Sequence, residues 1–171
     1  MHAYRRLRGD QSPGTVCLIG TGGVGKAVAF GLVALGAKII RCVDLDPAKA
    51  EALALALALR GLETETVIET SNNATRAATG ADGIINCTPL GMVGIGGTPL
   101  AAVSMQGASW AFDAVYTPVD TQFLQDAAQA NLTIISGYEL FFGQGLDAWK
   151  IFTSADLDPG QLRQAIQGDE A

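Results

Sequence analysis

The residues GTGGVGKA, Gly20 to Ala27, follow directly on the apolar run TVCLIG, Thr15 to Gly20. A glycine turn in that place restricts the fold more than any other feature of the chain. Gly20, Gly22 and Gly25 fit the spacing G-x-G-x-x-G, while Gly20, Gly25 and Lys26 fit most of G-x-x-x-x-G-K-[ST]. The first is the phosphate turn of a dinucleotide-binding βαβ unit, and the second is the P-loop of a nucleotide triphosphatase. A P-loop requires Ser or Thr after its lysine, because that hydroxyl coordinates magnesium. Position 27 is alanine, so the P-loop fails. The dinucleotide unit requires a preceding strand, a following helix and an acid about twenty residues on. Asp44, at the end of the β-branched run KIIRCVD, completes that set.

Each glycine has a physical task in such a turn. Gly20 makes the tight bend, Gly22 lets the backbone approach a pyrophosphate, and Gly25 permits close packing of helix on strand. The turn Gly20, Thr21, Gly22, Gly23, Val24, Gly25 is therefore expected to bind the dinucleotide, with the free N–H groups of the next helix facing its phosphates. Lys26 falls in the first helical turn as a solvated residue. A carboxylate at Asp44 accepts hydrogen bonds from the adenosine ribose hydroxyls and repels a 2′-phosphate. No arginine follows it in DLDPAK, and Asp46 adds negative charge, so NAD is favoured over NADP.

The rest of the chain alternates short apolar runs with helical stretches, which predicts an α/β, Rossmann-type doubly wound parallel sheet in a single domain over residues 1–171. Strands are expected at Thr15–Gly20, Lys38–Asp44, Glu65–Ile68, Gly83–Cys87, Trp110–Val115 and Thr133–Ser136. Helices are expected at Val24–Leu35, Asn73–Ala78, Thr121–Ala130, from Tyr138 onward and at Pro159–Gln167. Asp46 and Pro47 open another helix as N-cap and first residue. That helix contains ALALALAL, Ala52 to Leu59. Its strict alternation suggests a strand, but alanine and leucine are strong helix formers behind a cap, and helix is preferred. Leu53 and Leu57 then share one face and Leu55 and Leu59 the opposite one.

Composition narrows the function. Hydrophobic residues make up 49% and charged ones 16%, which describes a globular domain rather than a disordered chain. A net charge of −6 opposes nucleic-acid binding, and Arg5, Arg6 and Arg8 read as the solvated face of a first helix. No apolar run reaches membrane-spanning length, and MHAYRRLRGD shows no secretory h-region. Cys17, Cys42 and Cys87 lack metal or redox spacing and read as buried, reduced thiols of a cytoplasmic protein. The single histidine, His2, cannot build a zinc site or a triad. Nor is the Tyr-x-x-x-Lys pair of single-domain dehydrogenases present: Arg8, Asp120 and Phe142 stand four positions after Tyr4, Tyr116 and Tyr138. The chain reads as a cofactor-binding half with no catalytic group of its own.

INCTPLGM (Ile85 to Met92), DAVYTPVDTQFL (Asp113 to Leu124), SGYELFFGQG (Ser136 to Gly145) and the glycine turn resemble the shikimate/quinate dehydrogenase family. The resemblance runs from about Tyr4 to about Gln167 and is to the C-terminal, cofactor-binding domain of that family. It implies that Thr88, Pro89, Leu90, Val115 and Gly137 line the nicotinamide side of the cleft. It implies further that Tyr116 and Gln144 reach a polyhydroxy cyclohexane or cyclohexene carboxylate substrate, in the chemistry of aromatic amino acid biosynthesis. The family's N-terminal domain, with its catalytic lysine–aspartate pair, has no match in these residues. Where NADP-using members often carry Asn-Arg-Thr, this chain has Asp44-Leu45-Asp46, which favours NAD and a quinate/shikimate type. Leu140 and Phe141 replace a common Met-Leu. The alternative is a stand-alone NAD-binding or scaffold module without catalysis. The helix bearing Phe141, Phe142, Trp149 and Phe152 is expected to face a separate substrate domain, and to promote self-association where that domain is lacking.

Overall fold

Six short strands run parallel in the order β3-β2-β1-β4-β5-β6 in a computed structural model, which describes residues 2–60 and 65–168. They are β1 Thr15–Ile19, β2 Ile39–Val43, β3 Val67–Ser71, β4 Gly83–Asn86, β5 Trp110–Asp113 and β6 Thr133–Ile135. The helices between them are α1 His2–Arg8, α2 Gly23–Ala34, α3 Pro47–Arg60, α4 Ala74–Ala78, α5 Gln122–Gln129, α6 Gly137–Thr153 and α7 Pro159–Gly168, with a 3-10 turn at Ala102–Met105. This is the doubly wound architecture expected from the alternating runs. Strand order reverses between β1 and β4, so the crevice of the fold opens at their carboxyl ends, beside the glycine turn.

Side chains alternate across each strand, and both faces of the sheet are covered. Val16, Leu18, Ile40, Ile85 and Ile135 pack with Ala29 and Leu32 of α2, Leu53 and Leu57 of α3 and Tyr4 of α1. Cys17, Ile19, Ile84 and Ala111 pack on the other face with Ala77 of α4, Met105, and Phe123 and Leu124 of α5. The ALALALAL stretch is helical, capped by the Asp46 carboxylate, which accepts from the Ala48 N–H at 3.1 Å. Leu57 is fully buried, whereas Leu55 is 64% and Leu59 71% exposed.

Two details differ from the sequence expectation. The third strand begins at Val67 rather than Glu65 and continues through polar residues to Ser71. As an edge strand it needs no apolar face along its length, and its register is set by β2, up to the Asp44 N–H donating to the Ser71 carbonyl. The arginines of α1 are also not all solvated. Arg6 pairs with Glu139 at 2.7 Å, and Arg8 Nε donates to the Tyr4 hydroxyl at 3.2 Å.

Glu139, in the first turn of α6, joins three helices. It accepts from Arg163 of α7 through both oxygens, at 3.2 and 2.7 Å, and from Arg6 of α1. Burial alone would raise its carboxyl, but the Arg163 hydrogen bonds and the Arg6 charge outweigh burial and hold it below the usual glutamate value. A carboxyl depressed on folding contributes stability above its ordinary titration range and loses it as pH falls through the depressed value. Glu139→Gln is expected to cost about 1 kcal/mol at neutral pH, allowing for solvent screening of the two arginines. Thermal melts of both proteins should converge as pH is lowered below the usual glutamate range and through the depressed value of Glu139, where the native glutamate also becomes neutral.

Candidate functional site

Gly20 leaves β1 with φ 94°, and its N–H donates to the Val43 carbonyl at 2.8 Å. A Cβ there would stand 2.8 Å from the Cys87 carbonyl group, so the turn is wedged between the ends of β2 and β4. Gly25 lies against the Gly20 carbonyl oxygen, in the volume a side chain would need. Gly22 is different: a Cβ on it would point into open space. It is also the N-cap of α2 and offers no side-chain cap. Gly22, Gly23 and Val24 are exposed. The turn is thus an open cradle, facing first-turn N–H groups that no side chain satisfies, with free space over position 22. Such a cradle suits the diphosphate of a dinucleotide.

Thr21 is buried, and both of its donors are committed to Asp44. Its N–H and hydroxyl reach Asp44 Oδ2 at 2.9 and 2.7 Å, while Asp44 Oδ1 accepts from the Asp46 N–H at 3.0 Å. Partial burial opposes ionisation of Asp44, but the bonds from Thr21 and Asp46 and the nearby charge of Lys49 hold its carboxyl below the usual aspartate value. The acid at the end of β2 is therefore a fixed, ionised acceptor at neutral pH.

Across the crevice a second carboxylate does a different job. Asp113, fully buried at the end of β5, accepts from the Thr121 hydroxyl at 2.5 Å, from Asn86 Nδ2 at 3.0 Å and from the Val115 N–H at 3.0 Å. Asn86 passes the connection on: its Oδ1 accepts from the Thr88 N–H and hydroxyl at 2.9 and 2.7 Å, and its Nδ2 donates to the Leu90 carbonyl at 3.0 Å. The turn Thr88-Pro89-Leu90 and the segment at Val115 are fixed by one network. Burial raises the Asp113 carboxyl, opposed by its bonds from Thr121, Val115 and Asn86. Sequence reasoning did not single out Asn86, Asp113 and Thr121. The available signal was a pair of polar residues closing the apolar runs GIIN and WAFD, since a buried polar group must find partners.

Gly137 starts α6 so close to β5 that a Cβ would strike the Val115 and Ala114 carbonyls, which explains glycine there. Tyr116 is 51% exposed, and its ring stacks on Phe141 with centroids 5.1 Å apart. Gln144 is exposed on α6, beside an apolar cavity of about 370 Å³ bounded by Val24, Leu32, Trp110 and Leu140. The glycine turn, Asp44, Thr88 to Leu90, Val115, Tyr116 and Gly137 therefore stand on strand ends or the loops and helix starts that follow them. Gln144 stands two turns along α6. The three cysteines are unpaired; burial pushes the Cys17 and Cys42 thiols up to about 12 and Cys87 higher still, which opposes thiolate formation. Among the described residues no group of three His, Cys, Asp or Glu could hold a metal ion, and no helix is long and apolar enough to cross a membrane.

A six-stranded parallel sheet with a glycine turn at its switch point and an acid closing β2 defines a Rossmann NAD(P)-binding domain. Residues 15–94 match a family model described as NADP oxidoreductase, coenzyme F420-dependent. The chain is 35% identical over 148 residues to the shikimate dehydrogenase (NADP(+)) of Pseudarthrobacter chlorophenolicus, covering 86% of this chain and 50% of that protein. It is 35% identical over 161 residues to the quinate/shikimate dehydrogenase (NAD(+)) of Corynebacterium efficiens, covering 90% and 54%. The structure of quinate dehydrogenase from Corynebacterium glutamicum in complex with NAD superposes with a TM-score of 0.87 at 28% identity, over 98% of this chain and 59% of that one. These matches are to the shikimate/quinate dehydrogenase family, and the chain spans about half the length of the relatives it matches.

Positions 22 and 25 separate the two duties of the turn. Gly25→Ala must displace the Gly20 carbonyl and is expected to cost about 1–3 kcal/mol in thermal or urea unfolding. Gly22→Val, which projects into solvent, is expected to cost no more than about 1 kcal/mol yet to abolish NADH binding in a fluorescence titration.

Proposed function

We propose that this chain is the cofactor-binding domain of a quinate/shikimate dehydrogenase-like oxidoreductase and that it holds NAD in preference to NADP. The observation that carries the reading is the Asp44 carboxylate, ionised and fixed at the end of β2 beside the open glycine cradle. The diphosphate lies on the turn Gly20 to Gly25. The adenosine ribose meets Asp44, whose charge repels a 2′-phosphate. Thr88, Pro89, Leu90, Val115 and Gly137 line the place of the nicotinamide, and Tyr116 and Gln144 form one wall of the substrate cleft. When bound, the dinucleotide supplies the ring that accepts or donates a hydride at a hydroxyl-bearing ring carbon of a shikimate- or quinate-like carboxylate. The catalytic lysine–aspartate pair belongs to the other half of the family's length, so residues 1–171 act as the dinucleotide-binding domain alone.

Titration with NADH and NADPH, repeated on Asp44→Ala, tests the cofactor reading. NADH is expected to bind about 10- to 100-fold more tightly than NADPH, as loss or gain of a charged hydrogen bond implies, and the mutant is expected to lose that ratio. Equal affinity of the native chain for both dinucleotides would overturn the preference for NAD.

The second reading, a non-catalytic NAD-binding module, is favoured by one observation: Asp113, the carboxylate bonded to the Val115 N–H, is fully buried and already bonded on both oxygens. Against it stands the apolar stripe of α6. Phe141, Trp149 and Phe152 are 48%, 46% and 86% exposed and share one helix face, whereas Phe142 is buried beneath Arg163, with the guanidinium 4.0 Å from its ring centroid. That stripe suits a second domain, and the isolated chain is expected to self-associate through it. Sedimentation velocity should show concentration-dependent association that Phe152→Ser weakens; a concentration-independent monomer would favour the module.

A further inference from the structure

We infer that the Thr21 hydroxyl is a specificity-determining positioning residue: by tethering Asp44 it keeps the carboxylate from swinging away and so maintains discrimination between the two dinucleotides. The inference rests on the proposed role of Asp44 in cofactor choice and assigns Thr21 a part that the glycine spacing does not require.

The geometry supports it in three steps. A free carboxylate has about four acceptor positions and rotates about two side-chain bonds. Here Oδ2 holds two donors from Thr21, and Oδ1 holds the Asp46 N–H. The Asp44 carboxylate is thereby locked in one orientation, with its remaining acceptor capacity concentrated on Oδ1. Ribose recognition then runs through the oxygen that Thr21 leaves open.

Next, the tether joins two segments already stitched at the backbone. The Gly20 N–H donates to the Val43 carbonyl at 2.8 Å, and the Asp44 N–H to the Ser71 carbonyl at 3.3 Å. Main-chain movement therefore cannot free the acid, and side-chain rotation is the only route. The Thr21 hydroxyl bond, at 2.7 Å, opposes that rotation as the one side-chain tether, beside the bonds from the Thr21 and Asp46 N–H groups. Thr21 is 8% exposed, so water cannot readily substitute for the hydroxyl.

Finally, a swung-out Asp44 would remove the negative charge that a 2′-phosphate meets and leave Lys49, which already acts on Asp44 electrostatically, as the nearest charge of favourable sign. Loss of the tether therefore changes the ratio of affinities rather than both affinities equally.

Thr21→Val removes the hydroxyl at nearly constant shape and keeps the backbone N–H bond; Thr21→Ser keeps the hydroxyl. Fluorescence titration with NADH and NADPH, on proteins whose melting curves show folding, reads the effect. The NADH-over-NADPH ratio is expected to fall by about 10-fold in Thr21→Val, the scale of one hydrogen bond to a charged group, and to stay native in Thr21→Ser. If the valine protein does not fold, Thr21→Ala gives the same reading. A ratio lost in Asp44→Ala but unchanged in Thr21→Val, or both affinities falling together, would overturn the tether and leave the role of Asp44 standing. A ratio unchanged in Asp44→Ala would overturn that role and the tether with it.

Discussion

The carbonyl oxygen of Gly20 occupies the volume in which a side chain at position 25 would stand. This contact brings the first turn of α2 directly onto the end of β1, and most of the site follows from it. Because the helix starts so close to the strand, its unsatisfied N–H groups open onto the crevice between β1 and β4. Because Gly20 is wedged between the ends of β2 and β4, the turn is also held from both sides: by Val43 through a backbone bond and by Cys87 through contact. The cradle is therefore rigid before any ligand arrives, which reduces the ordering cost of binding.

Two carboxylates at strand ends divide the electrostatic work. Asp44 is partly exposed, accepts three hydrogen bonds and is held ionised beside the glycine turn. Asp113 is fully buried, its carboxyl is pushed up by burial, and its oxygens are used inside the protein. The first is suited to recognising a ligand and the second to shaping a loop. Their difference comes from exposure and partners rather than from residue type, since both are aspartates closing a parallel strand.

The fold was legible because each βα unit carries its own local evidence: the glycine turn, the Asp46-Pro47 cap and the Leu53/Leu57 face all agree with one architecture. The edge strand β3 starts two residues and ends three residues later than its sequence suggests, since a strand that is half solvated has no apolar run to mark its limits. Within the site, glycine positions and Asp44 could be read from spacing, because spacing along one βαβ unit is a local quantity. The bonds from Thr21 to Asp44 and from Thr121 to Asp113 could not. They depend on the register between β1 and β2 and on where the helix after β5 begins, and neither distance is written in any short stretch of sequence.

Helix α6 leaves several large apolar side chains uncovered. Its first residue must be glycine to sit on the Val115 and Ala114 carbonyls, which fixes the start of the helix against the chain leaving β5. From there it carries Phe141, stacked on Tyr116, and then Gln144, Trp149 and Phe152 along a surface that the sheet leaves uncovered. It is held at its first turns by Glu139 to Arg6 and Arg163, and by Phe142 under Arg163. Those contacts keep Phe142 in the core while Phe141, Trp149 and Phe152 stay on the surface.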